Sequence, residues 1–242
     1  MGLKRPKPFV AVDRRTFLQG TAWAAASSGL PLLNNARAES TGARPTPDEA
    51  LDQLMAGHQR YLEDRSGDHD LASHRTELAK GQQPAAAVLS CADSRVVPDL
   101  LFDQPSGQLF VVRVAGNFVA DEGQASLEYG VEFLGIPLVF VLGHSSCGAV
   151  DAAVKVVKDD AKLPGKLPGL ADSIAPAVKD VLKAPGDLLD NAIAQNVRRN
   201  VKILREAQPI IGPAAASGKI RVVGGVYDIA SGRVAMLDPA PK

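Results

Sequence analysis

The sequence predicts an α/β fold, with a mostly parallel central sheet of four to five strands flanked by helices and an N-terminal helical arm. Three observations carry this expectation. Short, uniformly apolar runs at residues 85–90, 108–114, 137–142 and 220–223 read as strands buried on both faces. Segments of helical period separate them, as the crossover between parallel strands requires. No internal repeat or low-complexity tract interrupts the pattern, and roughly 200 residues beyond the N-terminal segment suit one domain with its own core.

The elements follow in order. Thr46-Pro47-Asp48-Glu49 is a capping box with proline at the first helical position. Leu51, Leu54, Met55, His58 and Leu62 recur at helical spacing behind it, so residues 47–63 form an amphipathic helix. A polar loop over 63–70 and a second short helix lead into Gly81. Asp121 opens a helix that ends near Gly135, and Gly143 closes the strand over 137–142. Another helix runs over residues 148–158. Pro164, Gly165, Pro168 and Gly169 mark residues 159–170 as a flexible loop. Leu189, Ile193, Val197, Val201 and Leu204 line one face of a helix over 188–207. Residues 226–237 read as a hairpin turning at Ser231-Gly232.

The first 38 residues read as a targeting segment. Lys4, Arg5 and Lys7 form a basic start, Arg14-Arg15-Thr16-Phe17-Leu18 follows, and a modestly apolar stretch runs from 21 to 33 before Ala36-Arg37-Ala38. Paired arginines before Phe-Leu resemble the twin-arginine export signal of bacteria. The apolar stretch is too short and too broken for a span of about 20 residues. The expectation is a mature chain from about Glu39, periplasmic and without a membrane anchor. This segment holds six of the 27 basic residues and one of the 27 acidic ones, so the remainder carries a charge of about −5. No basic patch interleaved with aromatics is visible, which argues against a nucleic-acid partner.

The chain has two cysteines, and each follows an apolar strand. Cys91 opens Cys91-Ala92-Asp93-Ser94-Arg95, and Cys147 closes Gly143-His144-Ser145-Ser146-Cys147. Both stand at the carboxyl edge of the expected sheet, where open α/β folds place their sites. His144 and Cys147 are three residues apart, close enough for a turn entering a helix to aim both at one point. Two thiolates and an imidazole supply three protein ligands, the usual number for catalytic zinc with a fourth position open. Taken singly, each thiol also reads as a small buried hydrophobe and His144 as a structural histidine. A Cys91–Cys147 disulfide is a further alternative, although twin-arginine substrates leave the cytoplasm already folded, which removes the compartment argument for it. Asp93 and Arg95 read alternatively as an exposed ion pair.

The motif Cys91-Ala92-Asp93-Ser94-Arg95 with His144-Ser145-Ser146-Cys147, about fifty residues later, resembles the signature of the β-class carbonic anhydrases. The likeness extends through Gly107–Phe110, Val112-Arg113-Val114-Ala115-Gly116-Asn117, Leu127-Glu128-Tyr129-Gly130 and Gly225-Val226-Tyr227-Asp228-Ile229, from about residue 46 to 237. It implies one zinc per chain on Cys91, His144 and Cys147, with water or Asp93 as the fourth ligand. The implied reaction is the reversible hydration of CO2 to bicarbonate and a proton, with zinc-bound hydroxide as nucleophile. Asp93 would orient that hydroxide, and Arg95 would hold Asp93 off the metal. With the pair broken, Asp93 would be free to displace the water. The resemblance further implies a substrate-binding set of Gln82, Phe110, Ala115, Gly116 and Tyr129, Gln82 acting in the site of a neighbouring subunit. Ala115 is smaller than the valine frequent in the family. Residues 46–80 resemble an arm that wraps a neighbour, ahead of a zinc-binding core over 81–237, so a homodimer or larger homo-oligomer is expected. The sole tryptophan, Trp23, lies in the targeting segment, so the tryptophan-containing bicarbonate pocket of regulated members is expected to be missing. Hydrolysis of CS2 or COS on the same ligands, or a non-catalytic metal-binding module, are the competing readings.

Overall fold

The structure is a computed structural model that describes residues 44–67, 69 and 71–237. The targeting segment lies outside the described residues. Among those described, no helix is long and apolar enough to cross a membrane.

The chain begins with α1 (Pro47–Leu62) and α2 (Leu71–Leu78), followed by β1 (Ala86–Ser90) and the short α3 (Pro98–Leu101). Then come β2 (Leu109–Arg113), α4 (Asp121–Glu132), β3 (Leu138–His144), α5 (Gly148–Asp159), α6 (Leu167–Val181), α7 (Leu188–Glu206) and α8 (Ile211–Ala216). β4 (Arg221–Tyr227) and β5 (Val234–Met236) complete one sheet of order β2-β1-β3-β4-β5. The first four strands are parallel and β5 is antiparallel at the edge. This is the mostly parallel, helix-flanked sheet expected.

Strand periodicity divides the core. Ala87, Leu89, Val139, Val141 and Val222 face one layer, against Leu127 and Val131 of α4 and Val197, Val201 and Leu204 of α7. Ala86, Val88, Leu138, Phe140, Leu142 and Val223 face the other, against Ala50 and Leu54 of α1 and Leu101 and Phe102 at α3. Adjacent strand residues thus point into opposite layers. The capping box of α1 forms as expected, with Thr46 Oγ1 accepting from the Glu49 N–H at 3.3 Å and Glu49 Oε2 accepting from the Thr46 N–H at 2.8 Å. Of the segment resembling an arm, α1 lies on its own chain. His58 Nδ1–H donates to the Leu101 carbonyl at 2.9 Å, and Nε2 accepts from the Val234 N–H at 3.0 Å.

Three boundaries differ from expectation. α6 starts at Leu167, inside the stretch expected to be a loop, because Pro168 occupies an opening helical position where no N–H is required. It continues past an internal Pro176, with Ala171, Ile174, Ala175 and Val178 buried. β3 runs on through Gly143 to His144, and β4 is a single strand that crosses Gly224-Gly225. Gly143 and Gly224 are seats for α7. A Cβ at Gly224 would lie 2.5 Å from Val197 Cγ1, and one at Gly143 would lie 2.6 Å from Val197 Cγ2. The hairpin after β4 turns at Ser231-Gly232 as expected, with the Gly232 N–H donating to the Asp228 carbonyl at 2.9 Å.

Candidate metal centre

β1 and β3 are neighbours, with Leu89 opposite Val141 and Ser90 opposite Leu142. The segments that leave their carboxyl ends therefore emerge side by side. Cys91 leaves β1 at this edge, His144 ends β3, and Cys147 caps α5 after a turn in which Ser146 takes a φ of +56°. Ser145 fastens that turn to β4: its N–H donates to the Tyr227 carbonyl at 2.8 Å, and its Oγ accepts from the Ile229 N–H at 3.0 Å.

Cys91, His144 and Cys147 are all buried, and their three donor atoms lie within 4.8 Å of one another. Both cysteines are free thiols with sulfurs 4.0 Å apart, which removes the disulfide alternative. Two thiolates on one tetrahedral zinc, each about 2.3 Å from it, sit about 3.8 Å apart, close to the 4.0 Å found. His144 Nδ1–H donates to the Ser145 carbonyl at 2.9 Å. That bond sets the tautomer and leaves Nε2 as the basic nitrogen, buried and without a hydrogen-bond partner. An acceptor buried unpaired is costly. A cation among these donors satisfies it, so the residues present fit zinc.

Electrostatics point the same way. The Cys91 thiol is lowered to about 4, first by the Cys147 thiol beside it, then, against the cost of burial, by His144 and the N–H groups of Gly116 and Asp93. Those amides stand 3.2 Å and 3.4 Å from Sγ. Cys147 is pushed up, first by Cys91 and then by burial, while the N–H groups of Val150 and Ala149 in the first turn of α5 pull the other way. Two thiols so close cannot both ionise cheaply unless a cation compensates them.

Asp93 stands at the mouth of the cluster, its Oδ2 3.9 Å from His144 Nε2. Arg95 holds it with three donors: the backbone N–H and Nε to Oδ1 at 2.9 and 3.0 Å, and Nη2 to Oδ2 at 2.8 Å. The side-chain bonds of Arg95, above all, hold the carboxyl well below the usual range, so it stays ionised.

A family model described as carbonic anhydrase matches residues 86–234. The chain is 36% identical over 194 residues to carbonic anhydrase 2 of Mycobacterium tuberculosis, covering 79% of this chain and 93% of that protein. It is 38% identical over 161 residues to a carbonic anhydrase of Mycolicibacterium smegmatis, covering 66% of this chain and 78% of the relative. Its fold matches the β-carbonic anhydrase of Coccomyxa, solved in complex with acetazolamide, with a TM-score of 0.62 and 29% identity over 77% of this chain and 86% of that one. The chain belongs to the β-carbonic anhydrase family.

In this β-carbonic anhydrase the loop from Cys91 to Val96 is held by a residue to which sequence reasoning gave no role. Arg113 ends β2 and donates through Nε to the Cys91 carbonyl at 3.0 Å, and through Nη2 to the carbonyls of Asp93 and Val96 at 2.7 and 2.8 Å. Its signal in the sequence was a lone guanidinium closing an apolar strand, just ahead of Ala115-Gly116.

The substrate-binding set divides. Gly116 touches the Cys91 sulfur, with half-buried Ala115 before it. Gln82 precedes β1, at the end opposite Cys91. Phe110 pairs with Ala87, four residues back from Cys91 and so about 13 Å up the strand at roughly 3.3 Å per residue. Tyr129 packs on Phe110 with ring centroids 6.3 Å apart, Phe133 follows at 5.4 Å, and Tyr129 and Phe133 are exposed. Gln82, Phe110 and Tyr129 therefore lie away from their own chain's metal centre.

Proposed function

We propose that this chain catalyses the zinc-dependent, reversible hydration of CO2 to bicarbonate and a proton, with zinc on Cys91, His144 and Cys147. The observation that carries the reading is the buried His144 Nε2, without a hydrogen-bond partner, beside two free thiols 4.0 Å apart. Zinc in such a site lowers the pKa of a water molecule from that of bulk water to about 7, supplying a nucleophile near neutral pH. The chain's own groups do the rest. Asp93 is kept ionised and aimed by Arg95, with Oδ2 engaged by one donor where Oδ1 takes two, so Oδ2 could accept a hydrogen bond from a water or hydroxide held at the zinc and orient its oxygen. Arg113 keeps the loop that carries Asp93 in register with Cys91.

The active unit in this reading is a homodimer or a larger homo-oligomer. Its support is the separation of Gln82, Phe110 and Tyr129 from their own centre, which makes them useful to catalysis only in a neighbour's site. α2 is the part of the arm proposed to reach that neighbour. Residues 1–38 are proposed as a twin-arginine signal and 39–242 as a periplasmic mature domain, on the strength of Arg14-Arg15 and Ala36-Arg37-Ala38.

Stopped-flow CO2 hydration with zinc quantification tests the activity. One zinc per chain and turnover that disappears with the metal are expected, and a zinc-loaded chain without turnover would overturn the reading. Lysine at both Arg14 and Arg15 is expected to keep the protein in the cytoplasmic fraction.

A further inference from the structure

α7 carries two asparagines, Asn196 and Asn200, that are 1% and 3% exposed. Asparagine is a poor helix former, and a buried amide is costly unless its hydrogen bonds are met. Ile193, Val197 and Val201 on the same helix show what packing alone would select. The amides instead form a chain of bonds with one direction. The Val119 N–H can only donate, so Asn200 turns Oδ1 towards it, at 2.7 Å. Asn200 Nδ2 then faces Asn196, donating to its carbonyl at 2.7 Å and to Oδ1 at 3.1 Å. That leaves Asn196 Nδ2 to donate to the Gly116 carbonyl at 2.8 Å.

Gly116 is the residue whose N–H points at the Cys91 sulfur from 3.2 Å. Its φ is +86°, and a Cβ there would lie 2.5 Å from Ile174 Cδ1, so α6 presses the loop from one side while the asparagines hold it from the other. We propose that Asn196 and Asn200 are positioning residues for Cys91: through Gly116 they keep an N–H donor aimed at the sulfur, and so set how strongly it binds zinc. An N–H···S bond draws electron density from the thiolate, which then gives less to the cation. Partners one step behind a ligand tune a metal in this way. The inference rests on the zinc reading above and adds two residues to it, lying 80 and 81 positions along the chain from the loop residues they hold.

The test uses the full chain loaded with cobalt(II), comparing the parent with Asn196→Asp, Asn200→Asp and, as a packing control on the same helix, Val201→Ala. The thiolate-to-cobalt charge-transfer band is expected to move to longer wavelength in the asparagine variants and to stay in place in Val201→Ala. On zinc, kcat is expected to fall about 10-fold or more in the asparagine variants with KM little changed, while the control loses stability alone. A parent without the band would overturn the metal assignment itself. A parent with the band, at a position shared by both asparagine variants, would overturn the positioning role alone. A readout that needs no variant is scalar coupling between cadmium-113 and the Gly116 amide proton through the Cys91 sulfur. It is expected in the parent, and its absence from a cadmium-loaded sample would likewise overturn the proposal.

Discussion

Arg95 grips Asp93 with one backbone and two side-chain donors, so the carboxylate is held in place and not merely paired across a gap. A planar fork with two parallel N–H groups achieves this, and a lysine ammonium cannot reproduce it. Arg95→Ala and Arg95→Lys are therefore expected to keep one zinc per chain and to lower kcat/KM for CO2 by roughly 10- to 100-fold, lysine recovering little. Stopped-flow rates beside zinc content check this. Parent-like turnover in Arg95→Ala would remove Asp93 orientation from the mechanism.

Zinc binding should also appear as stability. With zinc at roughly 1,000 times its dissociation constant the folded state gains about 4 kcal/mol. At about 2–4 °C per kcal/mol for a domain of this size, chelation is expected to lower Tm by about 8–16 °C. Cys147→Ser should abolish that shift together with the zinc content. Ser145→Ala should keep it, because His144 Nδ1 is bound by the backbone carbonyl of Ser145, and what is lost is the Oγ contacts to the Ile229 N–H and the Asp228 carboxylate. Calorimetry with and without chelator separates the two variants.

The metal ligands were legible because each follows an apolar run, so chain order alone put both cysteines at one edge of a parallel sheet. What the sequence could not reveal was adjacency. That β1 pairs directly with β3 brings Cys91 beside His144, and this is a property of register. The boundary errors have a related cause. Gly224-Gly225 reads locally as a break, yet Gly224 admits Val197 and Val201 from a helix more than 20 residues earlier, and Gly225 lies close against Phe140, Val234 and the Ala235 carbonyl. Nothing in the sequence marks Asn196 and Asn200, because their partners lie on a distant loop. Pro168-Gly169 reads as a turn, although proline suits an opening helical turn equally well.

The tight seat of α7 on β4 gives a stability prediction. In Gly224→Ala the new methyl would lie 2.5 Å from Val197 Cγ1 and 2.9 Å from Val201 Cγ2, both on stiff β-branched side chains. Overpacking of this kind is expected to cost about 1–3 kcal/mol. Gly169→Ala, in the first turn of α6 with no atom within 4 Å of the added carbon, should be neutral or stabilise by up to about 1 kcal/mol. Urea midpoints compare them, and equal destabilisation at the two positions would contradict the packing argument.

Asp103 provides a pH dependence whose sign can be worked out. Its side chain is 1% exposed and is met by Arg60 Nε at 2.5 Å, His69 Nε2 at 2.7 Å and the Gly67 N–H at 2.9 Å. Burial opposes ionisation, but the donors outweigh it, Arg60 most of all, and the carboxyl lies below its ordinary value. A carboxyl lowered by folding binds fewer protons folded than unfolded, so its contribution is complete above the ordinary carboxylate value of about 4 and is lost as pH falls through the lower folded value. Asp103→Asn, which removes the charge and keeps the shape, is expected to cost about 1–3 kcal/mol at neutral pH. The gap between parent and variant should be level from pH 7 down to about 5 and close below about 4. Urea midpoints at successive pH values measure that gap. A gap that widens on acidification would mean the carboxyl is raised in the folded chain, and that burial, not its three donors, governs the group.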